Sequence, residues 1–344
     1  MVINTDLGAP LTADMIEGII ENYGCRLVDF MPCRKVWRLN TDCGYKYLKK
    51  TRLSPADLWF IYEALEYLHR NAFENAPRLV WSKKGEPFVK TAAGMFILTE
   101  WYFGAELDFR NLMDLKQASR LMAEFHLKGN GFSPSQPNDQ RTCWLNWPAR
   151  LEQRLEQLQE FRRLANTEKE RSAFSRLFLR HFEPHFRQAV ASYLALIKSP
   201  YVEVAQGACS QRSFCHHDYS GRNLLRTYKN RIYLIDFDYC LLDLRIHDLI
   251  NLVVRNLKHN NWHFQICNFI LREYQQISKL SQAELEVMYA LLLWPQDFWQ
   301  VGLQYYYEKL PWAPQRFLKK LQHKIAYRFS RNNFLGEFAR FCRA

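Results

Sequence analysis

The chain has 344 residues and carries 47 lysines and arginines against 35 aspartates and glutamates, a formal net charge of +12. Hydrophobic residues make up 48% of it and aromatic residues 15%, which excludes a globally disordered chain and predicts two lobes with a core each. The positive charge favours anionic partners. With no RNP signature, zinc-finger spacing or continuous basic arm, we expect no nucleic-acid partner.

The nine cysteines stand singly and form no CxxC pair, which gives little support to a zinc site and favours a reducing compartment. The N-terminal stretch MVINTDLGAPLTADMIEG lacks a basic segment followed by an apolar run. No window approaches the roughly 20 apolar residues that a membrane helix needs. We therefore expect a cytoplasmic protein with no membrane partner.

The first hundred residues alternate between strand and helix patterns. A helix over 12–23 comes first, and a second over 55–71 opens with Ser54 as N-cap and Pro55 at the first helical position. Between and after them, β-branched and aromatic residues separated by polar turns predict five strands. These strands are expected at 25–31, 36–42, 45–50, 82–89 and 95–104.

Beyond Gly104 the pattern becomes predominantly helical. This change predicts an N-lobe over 1–103 and a C-lobe over 104–344, and an α+β fold class. Two strands return inside the helical part, at 223–226 and 232–237, and the polar turn between them predicts a hairpin.

The hairpin carries the stretch FCHHDYSGRNLLRTYKNRIYLIDFDYC, which contains an HxDxxxxN pattern followed by IDF. Carboxylates at strand ends are costly unless paired, solvated or bound to a cation. An aspartate and an asparagine five residues apart lie at the two ends of one short loop, as in phosphoryl-transfer sites. Asp218 would accept the proton of an attacking hydroxyl, and Asn223 and Asp236 would bind magnesium on the nucleotide phosphates.

A nucleotide site of this kind also needs a cation on the phosphates, held by a carboxylate from a helix. Lys49 at the end of the third strand and Glu63 on the following helix are the predicted pair, with Lys46, Lys50 and Glu66 as alternatives. Surface charges would explain the same residues.

The strand ending in Phe96–Thr99 continues into Glu100, Trp101 and Tyr102. This continuation fits a hinge between the lobes whose backbone groups pair with adenine. A buried edge strand that leads into a solvent-exposed segment would have the same sequence pattern, so both interpretations stay open.

Six stretches of the chain carry a family resemblance: GYKYLKK, FILTEWYFG, MAEFHLKGNGF, FCHHDYSGRNLL, IYLIDFDYCLLDLRIHDL and WPQDFWQVGLQYYYEKLPW. They resemble the bacterial spore coat kinase-like proteins of the CotS family, within the aminoglycoside phosphotransferase and choline kinase type of fold. The resemblance covers about residues 25–325. HxDxxxxN and IDF are shared by the wider superfamily, whereas the last of the six stretches is specific to the spore coat branch.

The resemblance implies a protein kinase-like fold, with an antiparallel five-stranded N-lobe carrying one main helix and a larger, mostly helical C-lobe. It implies ATP and magnesium as cofactors and transfer of a phosphoryl group to a hydroxyl acceptor. By position, Asp218 matches the catalytic base, Asn223 and Asp236 the metal ligands, and Lys49 the phosphate-binding lysine. It further implies synthesis in the mother cell of a sporulating bacterium and association with other spore coat proteins.

Further residues near the motif have open roles. His216 matches a histidine that braces the catalytic loop, where a satisfied core histidine is equally acceptable. Asp248 resembles a structural aspartate that supports the loop, and His126 is expected to pack. Asp238, which replaces the glycine of a DFG element, would either help bind the metal or cap the strand.

The sequence departs from protein kinases in one respect, since no GxGxxG loop precedes the second strand. The turn MPCRKVWR contains no glycine, so the amides of 33–35, or the charges of Arg34 and Lys35, would have to cover the phosphates. A second hypothesis is therefore a scaffold that keeps the kinase fold without activity. In it, the aromatic tail over 294–312 lines a pocket or an interface, while core packing would explain the same aromatics.

The acceptor itself cannot be read from these residues. Choline-like molecules, sugars, aminoglycosides and protein hydroxyls would all meet Asp218 in the same way. Glu203, Asp243 and the tryptophans of the aromatic tail are the candidates for acceptor contacts.

Overall fold

A computed structural model describes residues 11–33, 36–167 and 172–343. The chain divides into two compact units, each assembled from separate stretches. The sheet unit comprises the described residues of 1–109 together with 124–142 and 216–241, and the helical unit comprises the described remainder. Because neither unit is one continuous stretch, the lobe boundaries at 103 and 104 stay a prediction. Arg34 and Lys35, the predicted phosphate cover, lie outside the described residues.

The sheet unit contains the predicted five-stranded sheet, with strand order β1-β2-β3-β5-β4. Every neighbouring pair is antiparallel, as the resemblance implied. A second sheet of three short strands joins β6 to the predicted hairpin of β8 and β9. The strands of the chain are Leu27–Cys33 (β1), Val36–Thr41 (β2), Gly44–Thr51 (β3), Val89–Thr91 (β4), Gly94–Glu100 (β5), Gly104–Glu106 (β6), Phe214–Cys215 (β7), Leu224–Thr227 (β8), Ile232–Leu234 (β9) and Leu241–Leu242 (β10).

The fourth predicted strand is wrong in its position. Only the three residues Val89–Thr91 pair with the sheet, and the residues before them form a turn. In that turn the N–H of Ser82 donates to the carbonyl of Glu86, and Gly85 adopts a φ of +72°. Residues with a side chain rarely adopt this left-handed backbone conformation. The turn at Gly85 therefore interrupts the strand predicted to begin at Ser82.

The helices of the sheet unit begin where their capping residues predict. Thr12 accepts a hydrogen bond from the N–H of Met15 at the start of the first helix. Ser54 and Asp57 form a reciprocal capping box at the start of the second. These helices cover Ala13–Glu21 (α1) and Pro55–Arg70 (α2), and α1 buries three isoleucines in the core of the sheet.

The helical unit is organised around long helices with aromatic cores. Ser281 and Glu284 form a reciprocal capping box at the start of one of them. In the described residues no helix has both the length and the apolarity to cross a bilayer. From α3, which spans both units, the helices are Leu112–Gly129 (α3), Trp147–Thr167 (α4), Ala173–Lys198 (α5), Tyr201–Ser210 (α6), Ile246–Leu257 (α7), Phe264–Gln275 (α8), Gln282–Leu293 (α9), Gln296–Gly302 (α10), Pro314–Ala326 (α11) and Arg328–Phe341 (α12).

The aromatic tail that follows Trp294 lies mostly in the core of the helical unit. The Phe298 ring stacks on Phe178 at a centroid distance of 4.5 Å, and Tyr306 stacks on Phe161 at 5.7 Å. Trp294, Phe298 and Tyr306 are all buried. Core packing is therefore the main role of this segment, because stacked aromatic rings contribute large buried areas.

Candidate active site

The HxDxxxxN stretch forms a short loop whose backbone is held in place by hydrogen bonds of His216. This histidine is completely buried. Its Nε2 lies 3.1 Å from the carbonyl oxygen of Ile235, and its Nδ1 accepts a hydrogen bond of 3.2 Å from the N–H of Asp218. Since a carbonyl can only accept, Nε2 carries the proton and the imidazole is neutral. His216 therefore ties the backbone of Asp218 to the residue just before Asp236.

Asn223 provides a second tie between the same segments. Its Nδ2 donates to the carbonyl oxygen of Asp218 at 2.8 Å and to Oδ2 of the same residue at 3.0 Å. Its own carbonyl accepts from the N–H of Ile235 at 2.9 Å. With the amino group turned toward Asp218, the amide oxygen of Asn223 points away from it. That oxygen is the atom that a hard cation would use.

The loop between Asp218 and Asn223 contains a glycine at position 221 because the backbone of Leu107 passes close to it. A Cβ atom placed on it would lie 2.3 Å from the carbonyl oxygen of Leu107. The N–H of Leu107 also donates to the carbonyl of Gly221 at 3.2 Å. Because the contacting atom is backbone, no side chain can be added without moving the loop.

Asp236 ends the second strand of the hairpin in an unusual conformation. Its φ of 65° and ψ of 69° lie in the left-handed region, which costs a residue with a Cβ about 1–2 kcal/mol. The predicted strand over 232–237 therefore stops at Leu234. This turn, together with the short helical turn that follows it, brings Asp236 and Asp238 to the same ammonium group, that of Lys49.

Lys49 is held by both of these aspartates. Its Nζ lies 2.6 Å from Oδ1 of Asp236 and 2.8 Å from Oδ2 of Asp238. Burial alone would lower the pKa of Lys49, but the carboxylates of Asp238 and Asp236 outweigh it and raise that pKa. The lysine is therefore a permanent cation at neutral pH.

The two aspartates titrate differently. Burial raises the pKa of Asp238, and the neighbouring charge of Asp236 adds to that effect. Burial would also raise the pKa of Asp236, but Lys49 outweighs it, and the pKa of Asp236 is lowered. Asp236 is consequently the more firmly ionised carboxylate. This suits the predicted metal ligand, while Asp238 neutralises the lysine.

The predicted pair of Lys49 with Glu63 is wrong. Glu63 accepts hydrogen bonds from the N–H of Ser135, at 2.8 Å, and from its hydroxyl. Tyr67, one turn further along α2, donates to the carbonyl of Asn130. Residues four apart share a helix face, so this face of α2 contacts the loop after α3 and not the lysine.

The contacts of the alternatives differ. Glu66 accepts from Arg78 at 3.3 Å, so it does not hold Lys49 either. Lys46 lies opposite Glu100 in the register of β3 and β5. Lys49 contacts both aspartates of the hairpin, and its role toward the phosphates stays a prediction.

The proposed hinge residues lie where β5 leaves the five-stranded sheet. Glu100 is the last residue of β5, and the N–H of Trp101 donates to the carbonyl of Tyr45 at 3.2 Å. The ring of Tyr102 stacks on Tyr233 of β9 at a centroid distance of 3.9 Å. The segment is thus fixed to both sheets of the unit, and its role toward adenine stays a prediction.

Arg141 is a structural element of the site that sequence reasoning missed. Its Nε donates to Asp57 at 2.7 Å, and its Nη1 donates to the carbonyls of Asp238 and Cys240 at 2.9 and 2.8 Å. The side chain is almost completely buried. It joins the capping box of α2 to the turn that presents Asp238. A single arginine after a loop belongs to no motif, so the sequence carried no signal for it.

We expect Arg141→Gln to destabilise the protein by about 1–3 kcal/mol, since it removes charge-assisted hydrogen bonds to a mostly buried carboxylate and two carbonyls. Urea unfolding of the parent and the variant measures the difference. Arg70→Gln, at an exposed position of α2, serves as the matched control and should change stability by less than about 0.5 kcal/mol. Equal stability of Arg141→Gln and the control would contradict this role.

The remaining predicted residues lie in other surroundings. Asp243, a candidate acceptor contact, is completely buried, and its Oδ1 accepts from Trp147 Nε1 and from the N–H of Leu244. It is a structural residue, because a buried carboxylate bound in this way offers no surface to a ligand. Asp248 is completely buried in the first turn of α7. Glu203 lines a cavity of the helical unit together with Ser213 and Arg245. His126 is buried beside Phe125, as expected for packing.

The donor set of the site fits magnesium. Asp236 and Asp238 contribute carboxylates and Asn223 an amide oxygen, which are the hard oxygen donors that Mg²⁺ prefers. The register of the hairpin, with Leu224 opposite Leu234, brings Asn223 opposite Ile235, the residue before Asp236. Two carboxylates around one ammonium leave a net negative charge that attracts a cation.

Solved structures share this fold over nearly the whole chain. An aminoglycoside phosphotransferase from Alicyclobacillus acidocaldarius matches with a TM-score of 0.83 at 19% identity, covering 99% of both chains. A spectinomycin phosphotransferase, solved with ADP and spectinomycin, matches with a TM-score of 0.63 at 13% identity, over 92% of this chain and 94% of that one. The protein therefore has the kinase-like phosphotransferase fold.

The family follows from the sequence. A family model described as "Spore coat putative kinase YutH" matches residues 17–338, and the chain belongs to that family. Spore coat protein S of Bacillus subtilis (strain 168) is 24% identical over 309 residues, which cover 88% of this chain and 86% of that relative. The resemblance to spore coat kinase-like proteins is confirmed.

Proposed function

We propose that this protein transfers the γ-phosphoryl group of ATP to a hydroxyl group, with magnesium as cofactor. The observation that carries the proposal is the joining of Asp218, Asn223, Asp236 and Lys49 within one unit, by the hydrogen bonds and ion pairs described above. Nucleotides occur in related folds, since the spectinomycin phosphotransferase was solved with ADP and another structural neighbour in a ternary complex with streptomycin and ATP.

In the proposed reaction the acceptor oxygen attacks the γ-phosphorus, the bond to the β-phosphate oxygen breaks, and ADP leaves. Asp218 takes the proton of the acceptor hydroxyl. Asn223 and Asp236 would hold the magnesium ion, which when bound neutralises charge on the phosphate oxygens. Lys49, already positioned beside Asp236, would contact the phosphates.

The acceptor is proposed to be a hydroxyl-bearing small molecule or a protein of the spore coat. The small-molecule side is supported by the small molecules bound in structural neighbours, spectinomycin and streptomycin. The coat context is supported by the family and by Spore coat protein S. We propose synthesis in the mother cell of a sporulating bacterium, followed by association with the coat.

A second candidate function is a coat scaffold without activity. The stretch MPCRKVWR, residues 31–38, contains no glycine, whereas protein kinases cover the phosphates with a glycine-rich loop. A weak grip on the nucleotide would leave the fold as a binding module.

Calorimetric titration of ATP with and without magnesium separates these functions. We expect the parent to bind ATP in a magnesium-dependent manner and Asp236→Ala to lose that dependence, because a ligand of the ion is removed. Asp29→Ala, which removes an exposed carboxylate from β1, should bind as the parent does. Absence of binding by the parent would reject the proposal and favour the scaffold. Binding would justify screening choline, aminoglycosides and coat proteins as acceptors.

A further inference from the structure

The helical unit holds a cavity separate from the residues proposed for phosphoryl transfer. It has a volume of about 90 Å³ and is lined from α5, α7, the segment 291–298 and the junction of α11 with α12. A single water needs roughly 10–15 Å³ of such space, so the cavity can hold a small ligand. Its apolar lining includes Ile250, Val254 and Phe298.

Three buried N–H groups on side chains that line this cavity lack acceptors among the described residues. They are Nε1 of Trp262, Nε1 of Trp294 and Nε of Arg328. Both tryptophans are 4% exposed. A buried polar group without a partner is costly, and most such groups in native proteins are satisfied by protein, water or ligand. Three orphan donors around one cavity indicate a missing acceptor.

The same cavity carries excess positive charge. Asp297 is the one carboxylate among its lining residues, and it already accepts from Lys258 at 2.8 Å, from Lys324 at 3.3 Å and from the hydroxyl of Tyr327. Three cations line the cavity, Lys324, Arg328 and Arg331. Lys258 is not part of the lining but forms an ion pair with Asp297, which is.

Arg331 shows how little of this charge is neutralised. Its Nη2 donates to the carbonyls of Leu292, Leu293 and Trp294 at 2.7, 3.2 and 2.8 Å, so neutral groups hold it. Burial lowers its pKa to about 10. Burial, with a smaller contribution from nearby Arg328 and Arg331, also lowers the pKa of His185, on the same lining, to about 4. An anion in the cavity would relieve both effects.

We propose that this cavity binds a small oxyanion of the size of phosphate, either free or as the terminal group of a small metabolite. A phosphate offers enough oxygens to accept from the three orphan N–H groups while pairing with Lys324 and Arg328. The apolar wall at Ile250 and Val254 would contact the remainder of a metabolite. The site is independent of the proposed phosphoryl transfer, since it uses none of those residues.

The indole N–H signals of the tryptophans, observed by NMR on ¹⁵N-labelled protein, test the site directly. The chain contains ten tryptophans, and the signals of Trp262 and Trp294 are assigned by their absence in Trp262→Phe and Trp294→Phe. Inorganic phosphate is titrated into the full chain, with chloride at equal ionic strength as reference and glycerol phosphate as the metabolite-like probe. We expect saturable shifts of these two signals with phosphate and not with chloride. Tighter binding of glycerol phosphate would favour a metabolite over the free ion.

Variants establish which groups bind the ion. Trp262→Phe, Trp294→Phe and Arg328→Gln should each weaken phosphate binding roughly tenfold or more, because each removes a hydrogen bond to a charged ligand. Lys319→Gln, which removes an exposed cation of α11 outside the lining, should bind as the parent does. The proposal is overturned if the signals do not move, if chloride moves them equally, or if the first three variants bind as the Lys319→Gln control does. The two phenylalanine variants keep the test valid should Arg328→Gln not fold.

Discussion

Asp218→Asn is expected to lower the rate of phosphoryl transfer by roughly 10² to 10⁴, the usual cost of losing a general base, while magnesium-dependent binding of ATP stays unchanged. The amide oxygen of an asparagine can still accept from Nδ2 of Asn223, which now bonds Oδ2 of Asp218 at 3.0 Å. The backbone N–H that donates to His216 is also kept. The loop therefore keeps its shape, and the loss is one of chemistry.

Two measurements on the same preparations check this expectation. ADP release reports the rate, and calorimetry reports the affinity for ATP. Asp29→Asn makes the same change at an exposed position of β1 and should match the parent in both. If Asp218→Asn releases ADP and modifies acceptor as fast as the parent, Asp218 is not the base. A parallel loss of ATP affinity would place it among the binding residues.

Lys49→Met is expected to destabilise the protein by about 2–4 kcal/mol at neutral pH. Removing one partner of a buried ion pair typically costs about 3–5 kcal/mol, because an uncompensated charge is left behind. Here two carboxylates lose the same cation. The expected loss is smaller than this typical cost because the side chain of Asp236 is 35% exposed and that of Asp238 is 24% exposed, so water screens part of the repulsion between them. Urea unfolding of parent and variant measures the difference.

The pH dependence of that loss identifies its cause. Without Lys49 the folded-state pKa of Asp238, already raised by burial, moves further up, and that of Asp236, which the lysine now lowers, rises as well. A carboxylate whose folded pKa exceeds its unfolded value destabilises the protein while ionised, and this penalty disappears as the pH falls through the folded pKa. The gap between parent and variant should therefore shrink as the pH falls from 7 through the raised folded-state pKa values of these carboxylates.

Lys46→Met serves as the matched control, since Lys46 lies on the same strand opposite Glu100. A cross-strand charge pair contributes roughly 0.2–1 kcal/mol, so this variant should lose no more than that. A loss in Lys49→Met that is as small as in the control, or that does not change with pH, would show that the two carboxylates are solvated well enough without the lysine.

The parts of the site that could be predicted are those encoded by short spacings. The HxDxxxxN loop, the hairpin and the aspartate at its end lie within a stretch of about two dozen residues, so strand geometry alone brings Asn223 and Asp236 together. The five-stranded sheet was predictable because its strands also follow short local patterns. The exception is β4, since a turn with Gly85 in the left-handed conformation takes the place of most of the expected strand.

The partner of Lys49 could not be predicted in this way. Several carboxylates satisfied the pattern, and the choice depended on which face of α2 contacts the loop at Ser135. Arg141 presents the same difficulty, because its partners at Asp57 and Asp238 come from distant parts of the chain. Periodicity reports which residues share a face and leaves open what that face contacts.

The discontinuity of the sheet unit has a consequence for how the protein is made. Its five-stranded sheet is complete by residue 100, but the hairpin with Asp218 and Asp236 leaves the ribosome more than a hundred residues later. Chains fold from the N-terminus during synthesis, so the first stretch must wait, with the aspartates' partner Lys49 unpaired, while the segment over 143–215 is synthesised. Contacts across such a separation close slowly. The nascent protein therefore gains a kinase-like sheet early and the proposed catalytic residues late, and an incomplete chain that ends before residue 216 contains none of the proposed catalytic loop.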